Sequence, residues 1–428
     1  MRVFGVIWFG QLVSLVGSGL TGFALGVWVY QRTGSATQFA LITLFTTLPG
    51  LVVSPLAGAL VDRWDRRWVM ILGDTGAGLS TLVVALLLLA NRLQVRHIYV
   101  TMTASSIFSA FQAPAHSASI TLLVPKKHLG RASGMVQLGQ SVARIVSPAL
   151  AGVLVEAIEV RGVILIDFAT FLFAVASLLF IRIPRPESTE AGKAGRGSLL
   201  QEASFGWTYI RRRPGLFGLL TFFSFSNFTL GFAEVLFTPM VLSFASPAVL
   251  GTVWSIGGSG MLIGSIVMST WGGPRRRIYG LLAPILVRGG LLILTGFQPD
   301  ARLAAVGAFG VFFSFPFVAG SSQAIWQSKV APDVQGRVFG VRRMIAFSMR
   351  PLSYLLAGPL ADTVFEPLLA VDGPLAGSVG QVIGIGQGRG IGLLFIVLGT
   401  VLIPIVAAGY LYPRLRWVED ELPDAIAD

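Results

Sequence analysis

Few residues in this chain can do chemistry, and most of them lie inside long apolar runs. Glu234 stands near the middle of the run 215–243, and Asp74 stands about two turns into a run that starts near Trp68. An ionisable group in such a run costs several kcal/mol unless it is paired or faces water, so each is a functional candidate by default. Glu234 is the first candidate to load and release a proton; a permanent pairing with an arginine is the other reading of the same residue. Asn227 lies seven positions earlier, on about the same helical face, and could line the same cavity. Asp74 could carry a proton or partner the arginines just upstream. Arg144 and Arg350 sit deep enough to need counter-ions, either an anionic substrate or carboxylates across a cavity. Arg288 has no partner legible in the sequence and reads as structural, while Asp167 and Glu156 read as interfacial groups near one surface. Gln112, Gln137, Gln140, Gln323, Trp326 and Gln327 could build a permissive pocket for a large, mostly apolar molecule, or could each tie two helices together.

Other chemistries find no support. Cys is absent and the three His residues, His97, His116 and His128, are scattered, which leaves no thiolate or clustered metal site. The glycine-rich run Gly384-Ile385-Gly386-Gln387-Gly388-Arg389-Gly390 has neither a preceding strand nor a following Walker lysine, so it is not a nucleotide loop. No nucleophile–base pair converges on one surface. The chain is therefore expected to be no enzyme, to need no cofactor, and to draw its energy from an ion gradient or a downhill solute.

Long apolar elements must position these residues. Of 428 residues, 54% are hydrophobic and 12% charged, too few charges to clothe a soluble globule of this size. Twelve apolar spans are predicted at about 3–30, 39–60, 68–90, 98–123, 135–158, 162–181, 215–243, 248–272, 278–297, 302–327, 338–360 and 390–412, each able to cross roughly 30 Å of hydrocarbon. The first of them is too long for a signal-peptide core. With the N-terminus inside, only Arg32, Arg92, Arg96, Arg161, Arg302 and Arg389 of the 32 Lys and Arg residues fall in outer segments, and Arg144, Arg288 and Arg350 lie within spans. The rest fall on the cytoplasmic side, as the positive-inside rule requires. The net charge of +12 thus follows from membrane topology and not from a nucleic-acid face. Residues 1–181 read as an N-terminal six-helix bundle, 182–214 as a cytoplasmic linker with a possible amphipathic helix at 198–213, 215–412 as a C-terminal six-helix bundle, and 413–428 as a cytoplasmic tail. Residues 361–389 form a long outer loop with no readable role.

Between spans two and three lies Gly58-Ala59-Leu60-Val61-Asp62-Arg63-Trp64-Asp65-Arg66-Arg67, a charged turn at the membrane surface. The halves also align: an offset of 206 carries Gly130, Arg131, Gly134, Arg144, Ser147, Leu150, Ala151, Gly152 and Leu154 onto Gly336, Arg337, Gly340, Arg350, Ser353, Leu356, Ala357, Gly358 and Leu360. At the same offset Gly58 maps to Gly264 and the acid at Asp62 becomes Met268, while a basic cluster survives at Arg275, Arg276 and Arg277.

These residues resemble the major facilitator superfamily, whose loop between helices two and three reads G-x-x-x-D-R-x-x-R-R. The resemblance implies an all-α membrane protein of twelve transmembrane helices in two pseudo-symmetric six-helix bundles, with a substrate cavity between them near the bilayer midplane. It implies a conformational latch of Gly58, Asp62, Arg63, Arg66 and Arg67, with Asp62 facing the start of span eleven; a loop that is merely capped and oriented by these charges is the alternative. Ser147-Pro148-Ala149-Leu150-Ala151-Gly152 is similar to the antiporter motif G-P-x-x-G-G, with Ser147 and Ala151 as small replacements, and would make a hinge or a leak-proof seam; a Pro-kinked helix with small residues also suits any membrane bundle. His116 occupies a stretch where drug-exporting relatives carry Arg, and a helix–helix hydrogen bond is its expected role. Together these features look like the drug, macrolide and siderophore exporters driven by protons. The implied partners are a small-molecule substrate, protons and the lipid bilayer, and the implied setting is a monomer in the cell (inner) membrane with both termini cytoplasmic. Proton-coupled uptake is the rival within this class, and a transport-dead receptor or scaffold the rival outside it.

Overall fold

A computed structural model describes residues 2–61, 64–123, 129–179, 206–330 and 335–421. Among them the backbone is helical with no strand. Twelve long helices follow the apolar runs: α1 (Arg2–Thr33), α2 (Ala36–Val61), α3 (Arg66–Leu89), α4 (Val95–Leu123), α5 and α6 within Leu129–Leu179, α7 (Pro214–Leu242), α8 (Pro247–Trp271), α9 (Tyr279–Phe297), α10 (Ala301–Lys329), α11 (Gln335–Pro359) and α12 (Arg389–Leu411). Glu159, with φ 58° and ψ 173°, breaks the run that holds α5 and α6. A left-handed φ at a non-glycine residue is uncommon, and here it turns the chain without a loop.

Nine stretches among the described residues are long and apolar enough to cross a membrane, one of them holding both α5 and α6. The two remaining helices, α4 and α11, are rich in Ser and Thr or in Arg. The chain separates into two compact units, Met1–Glu187 with Ala245–Ser255, and Ser188–Phe244 with Ile256–Asp428. Division at the linker does not anticipate that 245–255, the start of α8, groups with the first unit.

Each unit repeats one buried contact. In the first, the Ser147 hydroxyl on α5 donates to the Val16 carbonyl on α1 at 3.1 Å. In the second, the Ser353 hydroxyl on α11 donates to the Phe228 carbonyl on α7 at 2.8 Å. A glycine makes each approach possible: a Cβ on Gly19 would lie 2.6 Å from Ser147 Oγ, and one on Gly231 would lie 2.6 Å from Ser353 Oγ. Small residues let helix backbones close up where lipid gives no hydrophobic drive between helices.

The outer segment after α11 is folded, not slack. A π-helical turn Leu360–Phe365 leads into a short helix Glu366–Leu368 and another at Val379–Ile383. The Glu366 carboxylate accepts the N–H groups of Gly388 and Ile391, each at 3.0 Å, and so caps the start of α12. Gly388, at φ 81°, reaches this position because no Cβ meets Ser243. At the other face, residues 206–211 are helical, while the remainder of the predicted amphipathic stretch lies outside the described residues. The Glu419 carboxylate, in the helix Val418–Glu421, accepts the N–H groups of Arg277 and Ile278, each at 3.0 Å, and fastens the end of the chain to the start of α9.

Candidate functional site

In the first unit the polar centre is built on α1, α3, α4 and α6. Asp74 on α3 is 8% exposed. Its Oδ2 accepts from Gln11 Nε2 on α1 at 2.8 Å. Gln112 Nε2 on α4 donates in turn to Gln11 Oε1. A neutral amide relay thus joins three helices and ends on a carboxylate. Among the described residues no Lys or Arg pairs with Asp74. The upstream arginine that is described turns elsewhere: Arg67 donates from Nε to the Leu178 carbonyl (3.2 Å) and from Nη2 to the Leu179 carbonyl (2.7 Å), capping the end of α6.

Asp167 on α6 departs from expectation. It is 3% exposed, so it is a buried group and not an interfacial one. Thr81 Oγ1 on α3 donates to its Oδ2 at 3.3 Å. The close approach of Gly17 on α1, where a Cβ would stand 2.7 Å from Asp167 Oδ1, closes the pocket. Sequence reasoning missed Gln11 and Asp167, yet a signal existed. Gln11 and Ser18 are seven apart on α1, and Asp74 and Thr81 are seven apart on α3, so each pair forms a polar stripe on one helical face.

The antiporter-like segment on α5 makes a backbone seam within this unit. Ser147 and Ala151 are buried. A Cβ on Gly251 would lie 2.2 Å from the Pro148 carbonyl oxygen, and one on Gly152 would lie 2.6 Å from the Pro247 carbonyl oxygen. The Ser255 hydroxyl donates to the Ile145 carbonyl at 2.6 Å, and the Ala248 N–H donates to Glu156 Oε1 at 3.1 Å.

The second unit is organised around arginines. Glu234 on α7 has a side chain 43% exposed and lies 3.6 Å from Arg350 Nη1 on α11. The Tyr354 hydroxyl donates to Glu234 Oε2 at 3.1 Å. Tyr354 stands one turn beyond Arg350, a spacing that placed it beside Glu234 and that sequence reasoning passed over. Arg288 on α9 is 3% exposed, donates to Ser314 Oγ on α10 at 2.9 Å and stacks 4.8 Å over the Phe315 ring. Asn227 Nδ2 is committed to the Ala346 carbonyl at 2.9 Å, tying α7 to α11. Arg342 donates to Gln323 Oε1 (3.0 Å) and Ser322 Oγ (2.8 Å) and lies 5.0 Å over Trp326. Trp326 is 0% exposed, so with Gln323 it serves here as the seat of an arginine between α10 and α11.

The remaining candidates are not gathered into either centre. Arg144 and Gln140 have exposed side chains on α5. His116 Nε2 is buried, and among the described residues it makes none of the helix–helix hydrogen bonds expected of it. Asp62 and Arg63 lie outside the described residues, as do the side chains of Arg66, Gln137 and Gln327; Gly58 lies in α2. Among the described residues no group of three or more His, Cys, Asp or Glu could hold a metal ion.

Comparison with known proteins agrees with this architecture. Over 369 residues the chain is 30% identical to macrolide efflux protein A of Streptococcus pyogenes, covering 84% of this chain and 90% of that one. It is 26% identical over 371 residues to the multidrug efflux pump Tap of Mycolicibacterium fortuitum, covering 83% and 88%. The crystal structure of a bacterial homologue of the human lysosomal transporter Spinster shares the fold, with a TM-score of 0.72 at 14% identity and 98% of each chain covered. The crystal structure of the nucleoside transporter NupG gives 0.72 at 12% identity, covering 95% of this chain and 99% of that one. Residues 7–354 match the family profile of the Major Facilitator Superfamily, and with that match the chain belongs to this superfamily of multi-pass membrane transporters.

Proposed function

We propose that this chain is a proton-driven exporter of a hydrophobic or amphipathic small molecule, working by alternating access as a monomer in the cell (inner) membrane with both termini cytoplasmic. The observation that carries the reading is Asp74: a buried carboxylate inside a span, held by neutral amides with no described cation beside it. A charge there costs several kcal/mol, so taking up or releasing a proton changes the relative stability of two conformations by an amount large enough to drive a transition. The Gln112–Gln11–Asp74 relay spans α4, α1 and α3, which gives that change a path into the helix packing. Export as the direction, and a macrolide-like or other drug-like cargo, follow from the efflux relatives and the seam on α5. Glu234 is the second proton candidate, with release from Arg350 as the accompanying change. Asp62 and its neighbouring arginines are assigned the latch between conformations.

The test is cargo flux in proteoliposomes under an imposed pH gradient, with a panel of macrolides and other amphipathic drugs. Efflux-direction movement that follows the gradient and is lost in Asp74→Asn is expected. Flux indifferent to the gradient in either direction defeats proton coupling. Flux accelerated by a gradient of the opposite sense establishes uptake instead.

A further inference from the structure

The second unit holds more buried positive charge than it can neutralise. Glu234 is the only Asp or Glu within α7 to α12, whereas Arg288, Arg342 and Arg350 all lie inside those helices. Glu234 faces Arg350, and Arg342 is seated on Gln323, Ser322 and Trp326. Arg288 is left with one neutral hydroxyl and one ring: among the described residues no carboxylate pairs with it, and its Nε, like that of Arg350, is buried without a hydrogen-bond partner. The two guanidiniums lie within electrostatic reach of one another. A buried, uncompensated guanidinium is among the most expensive groups a protein can hold, and like charges side by side raise that cost. An anion is what relieves it, and arginine's planar fork suits a carboxylate, sulfonate or phosphate group.

We propose that Arg288 and Arg350 form an anion subsite inside the second unit, taking the acidic group of an amphipathic cargo. The apolar part of that cargo has flat surfaces beside the charges: Phe315 lies 4.8 Å from the Arg288 guanidinium carbon and Phe347 lies 5.1 Å from that of Arg350. Glu234 acts as the resident competitor. At 3.6 Å from Arg350 it occupies the place the cargo's anion takes, and it stays accessible enough to swing aside. The proposal rests on the reading of the chain as a small-molecule transporter and narrows its cargo to acidic amphiphiles, separating this chain from a carrier of basic drugs alone.

The full chain in phosphatidylcholine nanodiscs is melted with naphthalene sulfonate, with the neutral naphthalene sulfonamide, and with inorganic sulfate at equal ionic strength. Sulfonate alone is expected to raise the melting temperature. Its apparent affinity is expected to fall about tenfold or more in Arg288→Gln and in Arg350→Gln, the loss typical of one charge-assisted hydrogen-bonded pair. It is expected to rise several-fold in Glu234→Gln, where the competitor is neutral. Arg350→Lys, which keeps the charge but not the fork, covers the case in which removing buried Arg288 prevents folding, and intermediate affinity is expected. Equal responses to sulfonate and sulfonamide, or an undiminished sulfonate response in Arg350→Gln, overturn the subsite. A sulfate response matching that of the sulfonate overturns the cargo assignment in favour of a free inorganic anion. No gradient is applied, so the outcome is independent of coupling and direction: macrolide export with no sulfonate response would sink the subsite and leave the exporter standing.

Discussion

The two units share a helix pattern and a buried serine contact, yet their interiors carry opposite charge. In the first, two buried carboxylates, Asp74 and Asp167, are held by amides and hydroxyls from α1, α3 and α4. In the second, arginines dominate, and the one intramembrane carboxylate stands against a guanidinium and a phenol. A carboxylate surrounded by neutral dipoles loses its charge by taking a single proton, and nothing else need move. A carboxylate paired with an arginine cannot do so without exposing the arginine, which is the larger penalty. The same scaffold therefore suits proton exchange in one unit and anion recognition in the other.

Exchanging single groups sharpens or breaks this contrast. The largest effect is expected at Asp74→Asn, where gradient-driven flux should fall about a hundredfold, some 2.7 kcal/mol of lost coupling, with normal membrane insertion. Glu234→Gln should cost roughly tenfold or less on the same scale. The reverse order in proteoliposome flux would move the proton site to the second unit. Next comes stability. Asp167→Ala strands Thr81 and the adjacent hydroxyls in a dry site and should lower stability by about 1–3 kcal/mol, with Asp167→Asn milder because an amide oxygen still accepts. Thermal unfolding in detergent reads both, and a neutral result for the alanine would show that water, not Asp167, satisfies those hydroxyls.

Smaller still is the matched pair Ser147→Ala and Ser353→Ala. Each removes one interhelical hydrogen bond, so each should cost about 1 kcal/mol. Unequal losses would show that the shared contact carries different loads in the two units. The smallest effect concerns Glu366, the second unit's carboxylate outside the spans. Burial pushes its carboxyl above the ordinary range, against the N–H donors of Ile391 and Gly388. The folded chain then holds this proton more tightly than the unfolded chain. Its contribution to stability is complete below the ordinary carboxylate value and is lost as pH rises through the raised one. Melting followed across the acid range should show this slope in the native chain and its loss in Glu366→Gln.

Composition, the run lengths and the inward bias of Lys and Arg made the twelve helices legible in the sequence, because hydrocarbon imposes its thickness and polarity on every span independently of the neighbours. The internal repeat was legible for a similar reason: residues such as Ser147 and Ser353 stay identical where one backbone presses on another. Glu234, Asp74 and Arg350 stood out as charges in apolar runs. Only the tertiary structure decided what each meets. It gave Asp74 to Gln11 instead of an arginine, buried Asp167 where depth along the span suggested an interface, set Trp326 beneath Arg342, and left Arg288 without a counter-ion. Those outcomes depend on the rotation of one helix against the next, which an apolar run does not encode: a turn of about 100° per residue places neighbouring positions on different faces, and the face that wins is chosen by how small residues on several helices pack together.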